Sequence, residues 1–253
     1  MLLALLGSPA HEAPPLLDSA RIAVIVPAHR EERLLGRMLA RVPAFVDAIY
    51  VVDDASPDGT LAVARASNDP RVRALSHATN QGVGAAIVTG YREAIADDHD
   101  VLAVMAGDDQ MDPDDLEPLI RRVLSGADYA KGNRFRHPES RRMPFLRRLG
   151  GEVLSFATRR ATGLRVTDTQ CGYTALCARA ARALPLAELW PRYGYPNDLL
   201  LLLAAHGMRV AEVPVRPVYA DEASGLRPWH VISILTVIAR RYARVARSTK
   251  TSA

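Results

Sequence analysis

The chain has 253 residues, of which 49% are hydrophobic and 24% charged, and its net charge is +4. That apolar share is enough for the core of one large domain and excludes global disorder, while 6% aromatics argue against a base-stacking nucleic-acid platform. Cys171 and Cys177 are its two cysteines, too few for a disulfide framework and, without a CxxC pair or a histidine cluster, unsuited to zinc.

Residues 1–20 read as a loose leader. The first six are apolar, but the run is short and has no basic flank, which argues against a signal peptide. The run 22–26 (IAVIV) is continuously apolar and stops at Pro27, as expected of a strand buried on both faces. Leu34, Leu35, Met38 and Leu39 recur at helical spacing within 31–41. A second strand is predicted over 48–52, stopped by Asp53 and Asp54, and the turn Ser56-Pro57-Asp58-Gly59 leads into a helix from Thr60. A short strand at 72–75, a helix at 84–95 and a fourth strand at 101–106 follow. Pro113 with Asp112, Asp114 and Asp115 suits the first turn of another helix. Alternating strands and helices predict a mostly parallel sheet with helices on both faces.

The second half predicts strands at 129–132, 173–177 and 208–215, and helices at 145–162, 197–205 and 229–247. It is also the more basic half: between Lys131 and Arg165, ten lysines and arginines face only Glu139 and Glu152. That excess suggests phosphate ligands or an anionic membrane surface, and no nucleic acid. The expected organisation is one α/β domain over 21–227 and a basic helix with its tail over 228–253. The apolar run 231–239 is about half a membrane thickness as a helix, so no span is expected. The expected location is the cytoplasm, with peripheral contact at the inner face of its membrane.

In open parallel sheets, ligands bind at the carboxyl ends of strands, near a topological switch point. Three of the strand ends here are acidic or polar: Pro27 to Glu32, Asp53-Asp54, and Gly107-Asp108-Asp109-Gln110. Clustered acids repel unless a cation or donors lie between them. Asp108 with Gln110 is therefore a candidate Mg2+ or Mn2+ site, the other reading being that the acids cap the next helix. Neither GxGxxG nor GxxxxGK[ST] is present, which counts against a dinucleotide dehydrogenase and a P-loop ATPase.

The ordered segments Val26-Pro-Ala-His-Arg-Glu-Glu32, Val51 to Thr60 (VVDDASPDGT), Asn80-Gln-Gly-Val-Gly84, Gly107 to Pro113 (GDDQMDP), Lys131-Gly-Asn-Arg-Phe135 and Asp168 to Tyr173 (DTQCGY) together resemble an inverting family 2 glycosyltransferase of GT-A fold. The resemblance lies in the branch of dolichyl-phosphate mannose synthases and related polyprenyl-phosphate sugar synthases, and covers roughly residues 21 to 220. It implies that Pro27, Ala28 and Glu31 contact the base and ribose of a nucleotide-sugar donor, and that Asp53 recognises the base while Asp54 orders the loop. It assigns Asn80 and Gly84 to the floor of the donor site, and Asp108 and Gln110 to a metal. Arg134 is assigned to a donor or acceptor phosphate, and Arg147 to a second phosphate contact.

Ala106 stands where the family's metal motif has its first acid, and His29-Arg30 where it usually has Tyr-Asn. Asp198 is a candidate base or substrate-positioning residue, or else an N-cap. The C-terminal helix, with Trp229, Ile232, Ile234, Leu235, Val237 and Ile238 ahead of Arg240, Arg241, Arg244 and Arg247, reads either as an amphipathic helix in an anionic membrane interface or as a core or dimer helix. The leading expectation is metal-dependent transfer from a UDP- or GDP-sugar, UDP mildly preferred, to polyprenyl phosphate. A soluble hydroxyl acceptor, with Asp198 as base, is the alternative, and a non-catalytic nucleotide-sugar-binding protein is the reading from another class.

Overall fold

The computed structural model describes residues 17–143, 145–218 and 228–251, without the side chains of 18, 142, 145–147, 228–230 and 247–251. The leader's first sixteen residues therefore lie outside it, and Leu17–Ser19 form one 3-10 turn.

Seven strands form one sheet, in the order β3-β2-β1-β4-β6-β5-β7. They are β1 (Ile22–Ala28), β2 (Ala48–Asp53), β3 (Val72–Ser76), β4 (Val101–Val104), β5 (Tyr129–Asn133), β6 (Thr174–Cys177) and β7 (Val210–Pro214). All pairings are parallel except those of β6, which runs against both β4 and β5. The chain builds outward from β1 to β2 and β3, then returns to place β4 on the other side of β1. The switch point thus lies at the carboxyl ends of β1 and β4, where an open sheet leaves a crevice.

The continuous apolar runs are explained by burial on both faces. Residues 22–26 are 0% exposed, and alternate positions belong to different cores. Ile22, Val24 and Val26 pack with α1 (Leu35–Ala40), α2 (Thr60–Arg65) and α4 (Leu116–Leu124). Ala23 and Ile25 pack with α3 (Val83–Ala96), α6 (Ala178–Ala183) and α7 (Tyr195–Ala205). The fold is the predicted α/β layer architecture, with β4 ending at Val104 rather than 106 and α1 starting at Leu35 rather than 31.

Two further helices complete the domain. α5 spans Phe145–Thr162 and α8 spans Pro228–Thr251, with Pro228 at its first position. A third apolar cluster joins Leu154 of α5, Leu201 of α7, and Ile234 and Ile238 of α8. The C-terminal helix thus shares a core with the domain.

Helix α3 lies close over β1 because Gly90 has no Cβ. One placed there would stand 2.5 Å from Ile25 Cγ2 and 2.9 Å from Cγ1, and both residues are buried in the sheet-helix layer. Gly90→Ala is expected to destabilise by about 1–3 kcal/mol through overpacking, read as a lower denaturant midpoint with an unchanged slope.

Candidate active site

The tips of β1, β2 and β4 meet at the switch point. In register, Ala28 faces Asp53, and a Cβ on Gly107 would lie 3.4 Å from that of Ala28 and 3.3 Å from Glu31 Cγ. Three of the sequence segments are therefore in contact. Pro27 is half-buried, Ala28 buried and Glu31 half-buried, with the Glu31 N–H donating to Thr60 Oγ1 at 2.8 Å.

The two acids ending β2 behave differently, although each is 3% exposed. Asp54 Oδ1 accepts from the Gln81 N–H at 2.8 Å and lies 2.7 Å from His77 Nδ1, while Oδ2 accepts from the Gly82 N–H at 2.6 Å. Burial pushes the Asp54 carboxyl up, but these donors outweigh it and hold the group below the ordinary carboxylate range. Asp54 is thus the loop-ordering residue that the resemblance implies. Asp53 Oδ2 accepts from the Ser56 N–H at 3.2 Å, whereas its buried Oδ1 accepts no hydrogen bond among the described residues. Such an oxygen calls for a donor from outside the chain, a water or a ligand.

The His29 departure is explained here. Its Nδ1 lies 3.0 Å from the Asp54 carbonyl oxygen, which also accepts from Asn80 Nδ2 at 3.3 Å. His29 and Asn80 therefore tie the β1 and β3 loops to the tip of β2. Gly84 supports this loop from behind: it is buried, and a Cβ there would meet the Trp190 carbonyl at 2.3 Å.

At the tip of β4, Asp108 and Asp109 point to different partners. Asp109 has a positive φ of 54°, and its carboxylate accepts from Arg37 Nε at 2.6 Å and Arg41 Nη1 at 2.8 Å. It is committed to α1. Asp108 is half-buried, and its Oδ1 accepts from the Gln110 N–H at 3.1 Å. Among the described residues no three His, Cys, Asp or Glu side chains gather into a metal cage. A carboxylate and, two residues on, a glutamine still fit Mg2+ as residue types, since that ion keeps several waters and takes oxygens from a bound phosphate.

The tip of β5 carries a rigid cation. Arg134 Nε and Nη2 donate to Asp168 Oδ2 and Oδ1 at 2.8 and 3.0 Å, and the Arg134 N–H donates to Oδ2 at 3.0 Å. Asp168 is 0% exposed. Burial pushes its carboxyl up, but the Arg134 charge and hydrogen bonds outweigh this and hold it below the usual range. Fully buried Lys131, whose ammonium donates to the Cys171 carbonyl, sits in the same network, and burial holds its pKa below that of an ordinary lysine. Because β6 is antiparallel, the loop entering it lies at the same sheet edge as the ends of β4 and β5. A Cβ on Gly172 of that loop would be 3.3 Å from Met111 Cε, just past the β4 tip. Arg134 and Asp108 therefore share one edge, bridged by the 168–173 loop.

Asp198 does not fit the part of a base. It is 2% exposed and accepts from Arg241 Nε and Nη2 at 2.7 and 2.8 Å and from the Trp190 N–H at 2.8 Å. It caps no helix terminus, being the fourth residue of α7. Its lone pairs are occupied by a charge-assisted fork, which favours an anchoring role. On α8, Ile234, Val237 and Ile238 are buried, while Ile232 and Tyr242 are exposed at 69% and 52%. Most of the aliphatic face read as membrane-directed is thus taken by α5 and α7. The side chains of Arg147 and Trp229 lie outside the described residues.

Sequence alone assigns no role to Lys131, Asp168 or Asn197 and does not single out Glu212. Glu212 accepts from the Thr167 and Asp168 N–H groups at 2.6 and 3.0 Å, and Asn197 bonds Thr158, Thr169 and Gln170. An acid opening the DTQCGY segment was the one available signal.

The glycosyl transferase family 2 profile matches residues 23–184. The undecaprenyl-phosphate mannosyltransferase of Micrococcus luteus is 33% identical over 236 residues, covering 90% of this chain and 96% of that protein. The UDP-N-acetylglucosamine–dolichyl-phosphate N-acetylglucosaminyltransferase of Methanococcus voltae is 28% identical over 217 residues, 79% of this chain and 86% of that protein. Among solved structures, glucosyl-3-phosphoglycerate synthase from Mycobacterium tuberculosis in complex with UDP has a TM-score of 0.68, covering 90% of this chain and 83% of that one at 20% identity, a likeness of fold. That enzyme is also known with Mn2+, UDP and phosphoglyceric acid, at a TM-score of 0.65. The chain belongs to glycosyl transferase family 2 and is a glycosyltransferase with a GT-A-like α/β fold.

Proposed function

We propose that the chain moves a sugar from a nucleoside diphosphate sugar, UDP in preference to GDP, to a polyprenyl phosphate by one inverting displacement. The donor half rests on Asp53, whose buried Oδ1 accepts no hydrogen bond among the described residues, at the switch point and level with Ala28. A uracil imide N–H, or the N1–H of guanine, would satisfy it. Pro27, Ala28, Glu31 and Asn80 then border the base and ribose. Asp108 with Gln110 would hold Mg2+ or Mn2+ beside the diphosphate, where such an ion offsets charge on the departing group. Arg134, held rigid by Asp168, presents a fixed cation to a phosphate. Arg147 takes a second phosphate by the family resemblance.

A phosphate acceptor is already ionised near neutral pH and needs no strong base. This agrees with Asp198 being committed to Arg241. The acceptor oxygen bonds to the anomeric carbon as the bond to the donor's β-phosphate oxygen breaks, and the electron pair leaves with the nucleoside diphosphate. The names of the Micrococcus and Methanococcus relatives support a lipid-linked acceptor. So does α5, which follows Arg134 and Phe135. Leu149, Val153 and Phe156 are exposed at 46%, 45% and 65%, spaced to lie along one helix face, with exposed Arg160 one turn beyond Phe156 and Arg148 paired to Glu152 at 2.9 Å. That combination suits an anionic bilayer. No helix among the described residues is long and apolar enough to cross a membrane; the contact proposed for α5 is peripheral.

Three outcomes are expected. Asp53→Ala should weaken UDP binding by about 1.5–3 kcal/mol, the value of a hydrogen bond to a charged group, without lowering the melting temperature, as measured by calorimetry. Radiolabelled UDP- or GDP-sugars incubated with polyprenyl phosphate should give organic-extractable label; label found only in water-soluble glycosides would overturn the lipid acceptor. Phe156→Ser should reduce flotation of the full chain on phosphatidylglycerol vesicles, and undiminished flotation would remove α5 from the membrane contact.

A further inference from the structure

Arg241 lies deep in the molecule, at 5% exposure. Besides forking onto both oxygens of Asp198, its Nη2 donates to the Glu188 carbonyl at 2.6 Å. The carboxylate that receives this fork also accepts the Trp190 N–H at 2.8 Å. Asp198 therefore fixes two things at once: a residue of the C-terminal helix and the backbone of the segment 190–192.

That segment bears directly on the loop before α3. The Pro191 carbonyl accepts the Ala85 N–H at 3.1 Å. Ala85 is the third residue of α3, and amides in a first helical turn have no partner within the helix. Arg192 Nη2 donates to the Asn80 carbonyl at 3.5 Å. Gly82 and Gly84 permit this approach, since a Cβ on either would stand 2.5 Å from the Pro191 oxygen or 2.3 Å from the Trp190 oxygen. The loop clamped in this way supplies the Gln81 and Gly82 amides that hold Asp54, the neighbour of Asp53.

We propose that Arg241 is a positioning residue for the nucleotide pocket. By holding Asp198 it seats the 190–192 segment, and that segment seats the 80–85 loop on which the end of β2 depends. The inference deepens the donor-site reading and rests on it. A carboxylate buried as deeply as Asp198 that loses its arginine must take up a proton or turn toward water. Either change loosens the Trp190 amide and the loop above it. Lysine cannot reproduce the planar fork onto two carboxylate oxygens and a carbonyl, so Arg241→Lys should restore only part of the effect. Linkage also runs in reverse: bound nucleotide should tighten the seating of α8.

The test uses the full chain and compares wild type, Arg241→Met, Arg241→Lys and Val123→Ala, a buried aliphatic change on α4 that serves as a stability control. UDP and GDP binding in the presence of Mg2+ are measured by calorimetry, and amide exchange at Ala85 and Gln81 is followed without nucleotide. Arg241→Met should weaken nucleotide binding by about tenfold and speed exchange at both amides, Arg241→Lys should fall between, and Val123→Ala should change neither. Wild-type affinity and wild-type exchange in Arg241→Met would overturn the proposal, as would equal loosening in Val123→Ala. If Arg241→Met does not fold, Arg241→Lys carries the same comparison. If wild type binds neither nucleotide, the donor reading fails, and exchange at Ala85 alone decides the role of Arg241.

Discussion

A carboxylate removed from water must find donors, and the switch-point edge of this sheet is organised by that demand. Asp54 collects two backbone amides and a histidine, Asp109 takes Arg37 of α1 and Arg41 just after it, Asp168 the fork of Arg134, and Asp198 the fork of Arg241 with the Trp190 amide. Except for the Trp190 amide on Asp198, these contacts join segments distant in sequence. Together they fix the strand-end loops that no regular hydrogen-bond ladder holds. Against that background the unbonded Oδ1 of Asp53 is informative, because the surrounding chain satisfies comparable groups within a residue or two of it.

The same demand makes the cations rigid. An arginine whose guanidinium is forked to a fully buried aspartate loses its rotamer freedom during folding rather than during binding, which favours both affinity and charge stabilisation at a fixed point. Arg134 is in this position. Behind it, Asn197 bonds Thr158 of α5 and Thr169 and Gln170 of the loop carrying Asp168. A buried network satisfied in this way specifies one arrangement of α5, α7 and that loop. Helix α7 therefore supports two parts of the edge, through Asn197 toward Arg134 and through Asp198 toward the Asn80 loop.

Much of this was legible in the sequence because strands buried on both faces produce unbroken apolar runs that stop abruptly at polar residues. Residues 48–52 did so at Asp53 and Asp54, while the run 22–26 stopped at Pro27 and the strand itself ends just after it, at Ala28. The position of β6 was not legible. Four residues, TALC, carry no register information, and their partners lie about 45 and 70 residues away. Nor could sequence separate neighbouring acids by direction: Asp108 and Asp109 diverge because of a left-handed backbone at Asp109. Asn197 and Asp198, about 100° apart on a helix, face different layers. Helix α8 shows a third limit. Periodicity announces an apolar face but does not name its cover, and here the cover is Leu154 and Leu201 of the same chain.

The substitution at Ala106 has a consequence for the proposed chemistry. Its N–H points to Met111 Sδ at 3.3 Å, and Asp109 is withdrawn to α1, so the β4 tip offers a cation chiefly Asp108 and the Gln110 side chain. A hard divalent ion with so few protein oxygens must complete its shell from water and from the phosphates of the donor. Under the proposed function an ion and a nucleotide would each raise the other's affinity by the same factor. Asp108 and Gln110 would then hold an ion firmly only alongside a bound diphosphate. A second carboxylate at position 106 would weaken that dependence by holding the ion without the nucleotide, and would add another acid at a half-buried position beside Asp108.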